Sequence, residues 1–385
     1  MYDVVIVGGG PAGLSTALHL QTAAPRARIV VLEAERYPRE KICAGGIGGR
    51  AFRLLERIGV EVDCPRVPLD AVAMRVGGTT MRVELPGCGA VVRRIEFDHA
   101  LARIARARGI EVRDGTRVLR VATDAAGATL DLPDGPVRTR VVVGADGVSG
   151  IVRRQLGFAR SGLRAQVVEV DTEDLPDDQP RDTAVFDFAT AALKGYAWDF
   201  PTQIDGVAHV CRGAYVIRTL GPDDARARAR DYLETRGLDL ARYRVKQFAE
   251  CGWEPGFVPG VPRGLLVGEA AGIDIATGEG IGQAIEYGAL AGPYLSRALA
   301  RDDLGFASWR RTIARAHLGR QMAIRHACYR VFYGRRRPKV ERVMPSLGQL
   351  FRVGVQDFAG LPLSKLAIVR GTGQLLAAYA RAQRA

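Results

Sequence analysis

Asp3-Val4-Val5-Ile6-Val7-Gly8-Gly9-Gly10-Pro11-Ala12-Gly13 decides the reading of this chain. Tyr2 to Val7 is a short apolar run suited to a central parallel strand, and Leu14 to Leu20 carries helical spacing. Between them Gly8 permits a tight turn, Gly10 lets the backbone approach a pyrophosphate, and Gly13 lets helix and strand pack closely. The helix N-terminus then offers free N–H groups and the positive end of a dipole to phosphate. A second strand, Arg28 to Leu32, ends in Glu33, where a carboxylate can take both hydroxyls of an adenosine ribose. The competing reading is a glycine-rich turn with no ligand; strand, helix and acid together count against it.

Far downstream, Gly264-Leu265-Leu266-Val267-Gly268-Glu269-Ala270-Ala271-Gly272 repeats the strand-to-turn pattern and continues through Thr277-Gly278-Glu279-Gly280-Ile281-Gly282. The two motifs together predict one nucleotide cofactor gripped from both ends of the chain, and hence an oxidoreductase.

With 385 residues the chain is long enough for two or three domains. Hydrophobic content of 47% and charged content of 25% exclude a disordered or fibrous class. The net charge of +13 is high, and Arg335-Arg336-Arg337-Pro338-Lys339 is its densest run. Such a run suits an anionic membrane surface or an acidic carrier protein, or is simply a solvated face. Nucleic acid is not an expected partner. The six cysteines show no Cys-x-x-Cys or other metal-like spacing. With no signal peptide and no apolar run of transmembrane length, the expected location is cytoplasmic with reduced thiols, optionally against the inner face of a membrane.

The chain reads as a discontinuous cofactor domain, 1–161 and 252–305, with a β-rich substrate domain at 162–251 that also draws on parts of 70–95. A helical region at 306–385 follows, with a break around Pro338 to Pro345. Pro38 to Gly49 is expected as a loop before a helix from about Arg50 to Ile58. Ala71–Val76, Thr80–Leu85 and Ala90–Val92 are expected as strands of a separate sheet. Phe97 to Arg108 reads as a helix. Val112, Val118–Thr123, Thr129–Leu132 and Val137–Arg140 read as a small antiparallel sheet, before a buried strand and turn at Val141 to Gly147. Pro222 to Arg236 and Gly280 to Ala300 read as helices.

GGGPAG with Glu33, the Gly144-Ala145-Asp146-Gly147 turn and the Gly268-to-Gly272 turn resemble, in order and spacing, the flavoprotein superfamily of aromatic hydroxylases, flavin halogenases and geranylgeranyl reductases. The fold implied is α/β: a Rossmann-like FAD-binding domain of glutathione reductase type, an inserted antiparallel substrate domain and C-terminal helices. The resemblance implies FAD held through Gly8, Gly10, Pro11, Ala12 and Gly13, with Glu33 and Ala34 at the adenosine. Arg94 matches a cofactor-contacting arginine, and Asp146 with Gly147 would sit near the pyrophosphate. Gly268, Glu269, Gly278, Gly280 and Ile281 would approach the ribityl chain and flavin. Glu269 stands where the superfamily has Asp, and Ser149 lies one place early, with Gly150 in its slot.

Two further motifs resemble the geranylgeranyl reductase branch. Lys41-Ile42-Cys43-Ala44-Gly45-Gly46-Ile47 is similar to its Lys-x-Cys-Gly-Gly-Gly segment, which implies Lys41, Cys43, Ala44 and Gly45 beside the cofactor. Tyr196-Ala197-Trp198-Asp199-Phe200-Pro201 is similar to its Tyr-x-Trp-x-Phe-Pro motif, which implies Tyr196, Trp198, Phe200 and Pro201 at the substrate. On a strand the three aromatics share one face, as a prenyl slot or as an ordinary sheet core. The activity implied is saturation of a carbon–carbon double bond in an apolar or lipid substrate, with NAD(P)H or a reduced carrier protein as electron donor. Cys43 and Tyr196 are the candidate catalytic groups. A monooxygenase would use the same fold, and a halogenase would need Trp-x-Trp-x-Ile-Pro where this chain has Tyr-x-Trp-x-Phe-Pro. A non-catalytic flavin-binding partner is the reading outside enzymes. His99, His209, His317 and His326 show no pairing pattern and are expected to be structural. Apolar residues from Leu350 to Val369, interspersed with Arg352, Lys365 and Arg370, suit a membrane surface, the mouth of a lipid tunnel, or packing on the globule.

Overall fold

The computed structural model describes residues 1–159, 161–188 and 193–364, and beyond these 366, 369–371, 373 and 374. The chain opens with β1 (Tyr2–Val7), α1 (Pro11–Ala23) and β2 (Ile29–Leu32). Next come β3 (Gly46–Gly48), α2 (Gly49–Glu56), β4 (Arg66–Val76), β5 (Thr79–Val92), α3 (Arg94–Ala107) and β6 (Glu111–Arg113). Then follow β7 (Arg120–Asp124), β8 (Gly127–Leu132), β9 (Gly135–Gly144) and α4 (Ile151–Gln155). The central stretch holds β10 (Arg164–Thr172), β11 (Thr183–Asp187), β12 (Gly195–Ile204), β13 (Val207–Ile217), α5 (Ala225–Thr235) and β14 (Lys246–Cys251). The chain then forms β15 (Gly260–Val261), β16 (Gly264–Leu266) and α6 (Ile281–Arg301). It continues into α7 (Trp309–Arg315), α8 (His317–Tyr333), α9 (Arg337–Val343) and α10 (Gly348–Ala359).

In the first sheet β1 lies between β2 and β9, with β6 and β16 outside them, all parallel. Both faces are covered, which is why β1 and β2 read as unbroken apolar runs. α1 and α6 meet on this sheet at two glycines. A Cβ on Gly288 would lie 2.4 Å from Ser15 Oγ, and one on Gly292 would lie 2.6 Å from His19 Cβ. Two expectations change here. Val112 belongs to β6 and pairs in parallel with β2, outside the small antiparallel set. Val137–Arg140 and Val141–Gly144 form one strand, β9, whose outer half pairs with β8 while its inner half enters the parallel core.

The second sheet runs β14-β10-β13-β12-β11-β4-β5-β3. It is antiparallel except where β11 meets β4. Gly46–Gly48, expected in a loop, is its edge strand, and 80–85 and 90–92 are parts of the single strand β5. The register between β4 and β5 shifts between Leu69 and Ala71.

Pro338 starts a helix instead of breaking one. It sits in the first turn of α9, where a missing N–H costs nothing, and the chain turns before it at Gly334. The basic run is not a continuous solvated face either. Arg337 is buried and donates to the carbonyls of Gly195 and Phe188, each at 3.0 Å. α10 packs on β3 and β5 so closely that a Cβ at Gly48 would lie 2.3 Å from the Phe358 carbonyl. Leu366 and Val369 are exposed, and Lys365 and Ile368 lie outside the described residues. Among the described residues no helix is long and apolar enough to cross a membrane.

Candidate active site

A groove of about 650 Å³ runs along the C-terminal edge of the first sheet, lined by Gly8, Gly10, Pro11 and Ala12 from the first turn. Gly8 has φ +105°, and a Cβ there would stand 2.3 Å from the Ala145 carbonyl oxygen, so only glycine fits. Gly13 packs on the Gly8 carbonyl behind the groove, as close helix–strand contact requires. No side chain caps α1 at Gly10 or α6 at Gly280, and both helix starts line the groove. Two uncapped N-termini, together with Lys41 and Arg94, form a site suited to an anionic dinucleotide such as FAD.

Each end of the groove is held by acid–base contacts. Glu33 Oε2 accepts the Gly9 N–H at 2.9 Å and pairs with Arg39 at 3.1 Å; Arg39 also reaches Asp98 at 3.0 Å. Asp98 in turn holds Arg94 through two hydrogen bonds of 2.7 Å. Asp146 accepts the Val152 N–H at 2.9 Å, yet burial pushes its pKa up to about 6. A Cβ at Gly150 would lie 2.2 Å from Asp146 Oδ1, which explains glycine in the slot where a serine is usual; Ser149 still faces the groove. Glu269 lines the groove with its carboxylate 3.4 Å from the Cys251 N–H.

An apolar cavity of about 310 Å³ adjoins the groove. One face of the second sheet forms its wall, because the register sets Tyr196 opposite Tyr215, Trp198 opposite Gly213 and Phe200 opposite Cys211. A Cβ on Gly213 would lie 2.4 Å from the Trp198 ring, so the glycine makes room for the indole. α10 supplies the opposite wall through Phe351, Val355 and Phe358. Pro201 falls on the other face of β12 and does not line this cavity, since side chains alternate along a strand. Asp199 shares that other face, 3.0 Å from Arg75 and 2.7 Å from Arg212.

Groove and cavity share Cys43, Phe248, Glu250, Gly278, Gly280 and Ile281. Cys43 also lines a polar recess of about 400 Å³ with Arg93, Arg244 and Lys246. Burial raises the Cys43 thiol, with Arg94 opposing it. Tyr196 donates its hydroxyl proton to the Thr277 carbonyl, and burial holds that phenol well above its usual range. The hydroxyl thus ties β12 to the segment before α6 while the ring lines the cavity.

Of the residues expected at the cofactor, Gly8, Gly10, Pro11, Ala12, Glu33, Ala34, Lys41, Cys43, Arg94, Asp146, Gly147, Glu269, Gly278, Gly280 and Ile281 line the groove. Ala44 and Gly45 face the apolar cavity instead. Gly268 packs behind the groove, where a Cβ would lie 2.5 Å from Ala12 Cβ. The sequence reading missed Arg39, Glu250 and the stretch Thr116 to Leu119. No motif marks them; only the pairing of Glu250 with Ala165 brings β14 to the groove.

The pattern of the family described as FAD binding domain matches residues 1–200. Menaquinone reductase of Mycolicibacterium smegmatis is 27% identical over 84% of this chain and 82% of its own length. Digeranylgeranylglycerophospholipid reductase 2 of Methanothermobacter thermautotrophicus is 29% identical over 82% of this chain and 84% of its own. A geranylgeranyl bacteriochlorophyll reductase-like protein from Thermoplasma acidophilum superposes with a TM-score of 0.69 at 20% identity, covering 96% of this chain and 95% of that one. That structural likeness carries the fold.

Proposed function

The chain belongs to the FAD binding domain family and is an FAD-dependent oxidoreductase, and from this premise we propose that it saturates carbon–carbon double bonds of a prenyl, geranylgeranyl-type substrate. The observation that carries the proposal is the apolar, aromatic-walled cavity that shares Cys43 and Glu250 with the cofactor groove. Relatives named as reductases of menaquinone and of a digeranylgeranyl lipid support it.

Gly8, Gly10, Pro11 and Ala12, with Asp146 nearby, would hold the pyrophosphate, Glu33 and Ala34 the adenosine ribose, and Glu269, Gly280 and Ile281 the ribityl chain and flavin. Reduced FAD supplies a hydride equivalent when bound. The chain's own part is to orient the double bond between Tyr196, Trp198 and Phe200, exclude water and deliver one proton. NAD(P)H or a reduced carrier protein would supply the electrons.

The test is anaerobic reduction of the FAD-loaded protein, mixing with a prenylated quinone or a digeranylgeranyl lipid, and then admission of air. Flavin reoxidation before air, with a product heavier by two hydrogens, supports the reductase. Reoxidation only with oxygen, giving an oxygenated product, would move the protein to the monooxygenases.

A further inference from the structure

Saturating an isolated double bond requires a proton donor as well as a hydride, and Cys43 and Tyr196 are not the only titratable side chains at the cavity. Tyr196 has committed its proton to the Thr277 carbonyl, and Cys43 lies beside the Arg94 guanidinium. Two buried carboxyls border the cavity, Glu169 on β10 and Glu250 on β14. Glu169 lacks a hydrogen-bond partner among the described residues, but it lies 3.3 Å from the Lys246 ammonium and lines the cavity without reaching the groove. Glu250 is 8% exposed, lines both groove and cavity, and its Oε2 has no hydrogen-bond partner among the described residues.

We propose that Glu250 is the catalytic acid, giving its proton to one carbon of the substrate double bond while the other carbon receives the hydride. The assignment rests on the reductase reading above. The π bond breaks and two C–H bonds form, reduced flavin loses two electrons, and the Glu250 carboxylate regains a proton from water in the groove it also lines.

The surroundings favour the neutral carboxyl. Burial pushes Glu250 well above the usual carboxylate range, and Glu269 and Asp274 add to this while a hydrogen bond from Tyr215 and the charge of Lys41 oppose it. Tyr215, whose hydroxyl lies 3.2 Å from the Ile275 carbonyl, also stands against Glu250; the carboxyl raises the phenol's pKa and the phenol lowers the carboxyl's, as hydrogen-bonded neighbours do. The neutral carboxyl that burial favours carries one transferable proton. Rotation about the terminal torsion of the side chain would present that proton to the cavity, a broad and soft degree of freedom.

The experiment compares wild type, Glu250→Gln and Glu250→Asp as FAD-loaded proteins, with a prenylated quinone as the probe. Glu250→Gln should load FAD and be reduced by dithionite like wild type, while anaerobic reoxidation by the alkene slows at least about 100-fold. Glu250→Asp should recover part of that rate. Infrared spectra of the wild type at pH 7 should show a protonated-carboxyl band that shifts in heavy water and is missing in Glu250→Gln. Absence of that band, alkene turnover in Glu250→Gln within threefold of wild type, or loss of FAD loading in that variant would each overturn the assignment. A wild type that never reduces the alkene overturns the reductase reading instead.

Discussion

Nε2 of His317 on α8 lies 2.8 Å from Oδ1 of Asp357 on α10, while its Nδ1 lies 3.0 Å from Glu286 on α6. One imidazolium thereby joins three helices. Burial works against its charge, but the hydrogen bonds to Asp357 and Glu286 prevail and hold its pKa up at about 9. Because the folded value exceeds the unfolded one, the contribution is complete below about pH 6.5 and is lost as pH rises through about 9. Thermal melts of wild type and His317→Gln should converge between those values, with a loss on the order of 1 kcal/mol after allowance for the partial exposure of the ring. Parallel curves across that range would remove His317 as the pH-sensitive tie.

Arg39→Ala should be among the most damaging single changes near the cofactor groove. It leaves Glu33 and Asp98 buried without their shared guanidinium. Urea denaturation should register a cost of about 3 kcal/mol or more, and the FAD content of the purified variant should fall. Arg39→Lys should recover little, since one ammonium does not reproduce the two-sided contact.

Gly8→Ala tests the turn itself. The positive φ and the 2.3 Å approach to the Ala145 oxygen leave no room for a methyl group. A destabilisation of at least ~1–3 kcal/mol is expected, together with loss of FAD. Near-normal FAD binding in this variant would contradict the geometry of the turn.

Gly354→Trp tests the cavity without touching the cofactor. Gly354 lines the cavity from α10, and a Cβ there meets nothing within 4 Å. The substitution removes a glycine from a helix interior, so stability should hold or rise by a few tenths of a kcal/mol. FAD loading should not change, whereas KM for a long prenyl substrate should increase about tenfold through obstruction. Unchanged KM would place the substrate elsewhere.

Local signals carried much of the fold. The β1–α1 turn and Glu33 were readable because strand, glycine spacing and acid are neighbours in sequence. The shared face of Tyr196, Trp198 and Phe200 follows from strand alternation alone, and so does the departure of Pro201 from that face. What local pattern could not show was the result of distant pairing. Glu250 reaches the site only because β14 pairs with β10. His317, Glu286 and Asp357 come from three helices, so no spacing announced their contact. Arg39 sits in an irregular segment with no periodicity to interpret. Within the basic run Arg335, Arg336 and Lys339 are exposed as charge density suggests, but that density said nothing about the backbone carbonyls that draw Arg337 inward.

The two faces of β12 have unlike neighbours, an apolar space on one side and the Asp199 ion pairs with Arg75 and Arg212 on the other. Selection can therefore act on them separately. Exchanges at 196, 198 and 200 would reshape the apolar cavity while leaving the ion pairs of the other face in place. A lineage adapting to a longer, shorter or more rigid substrate would then accumulate its changes at alternate positions of this one strand.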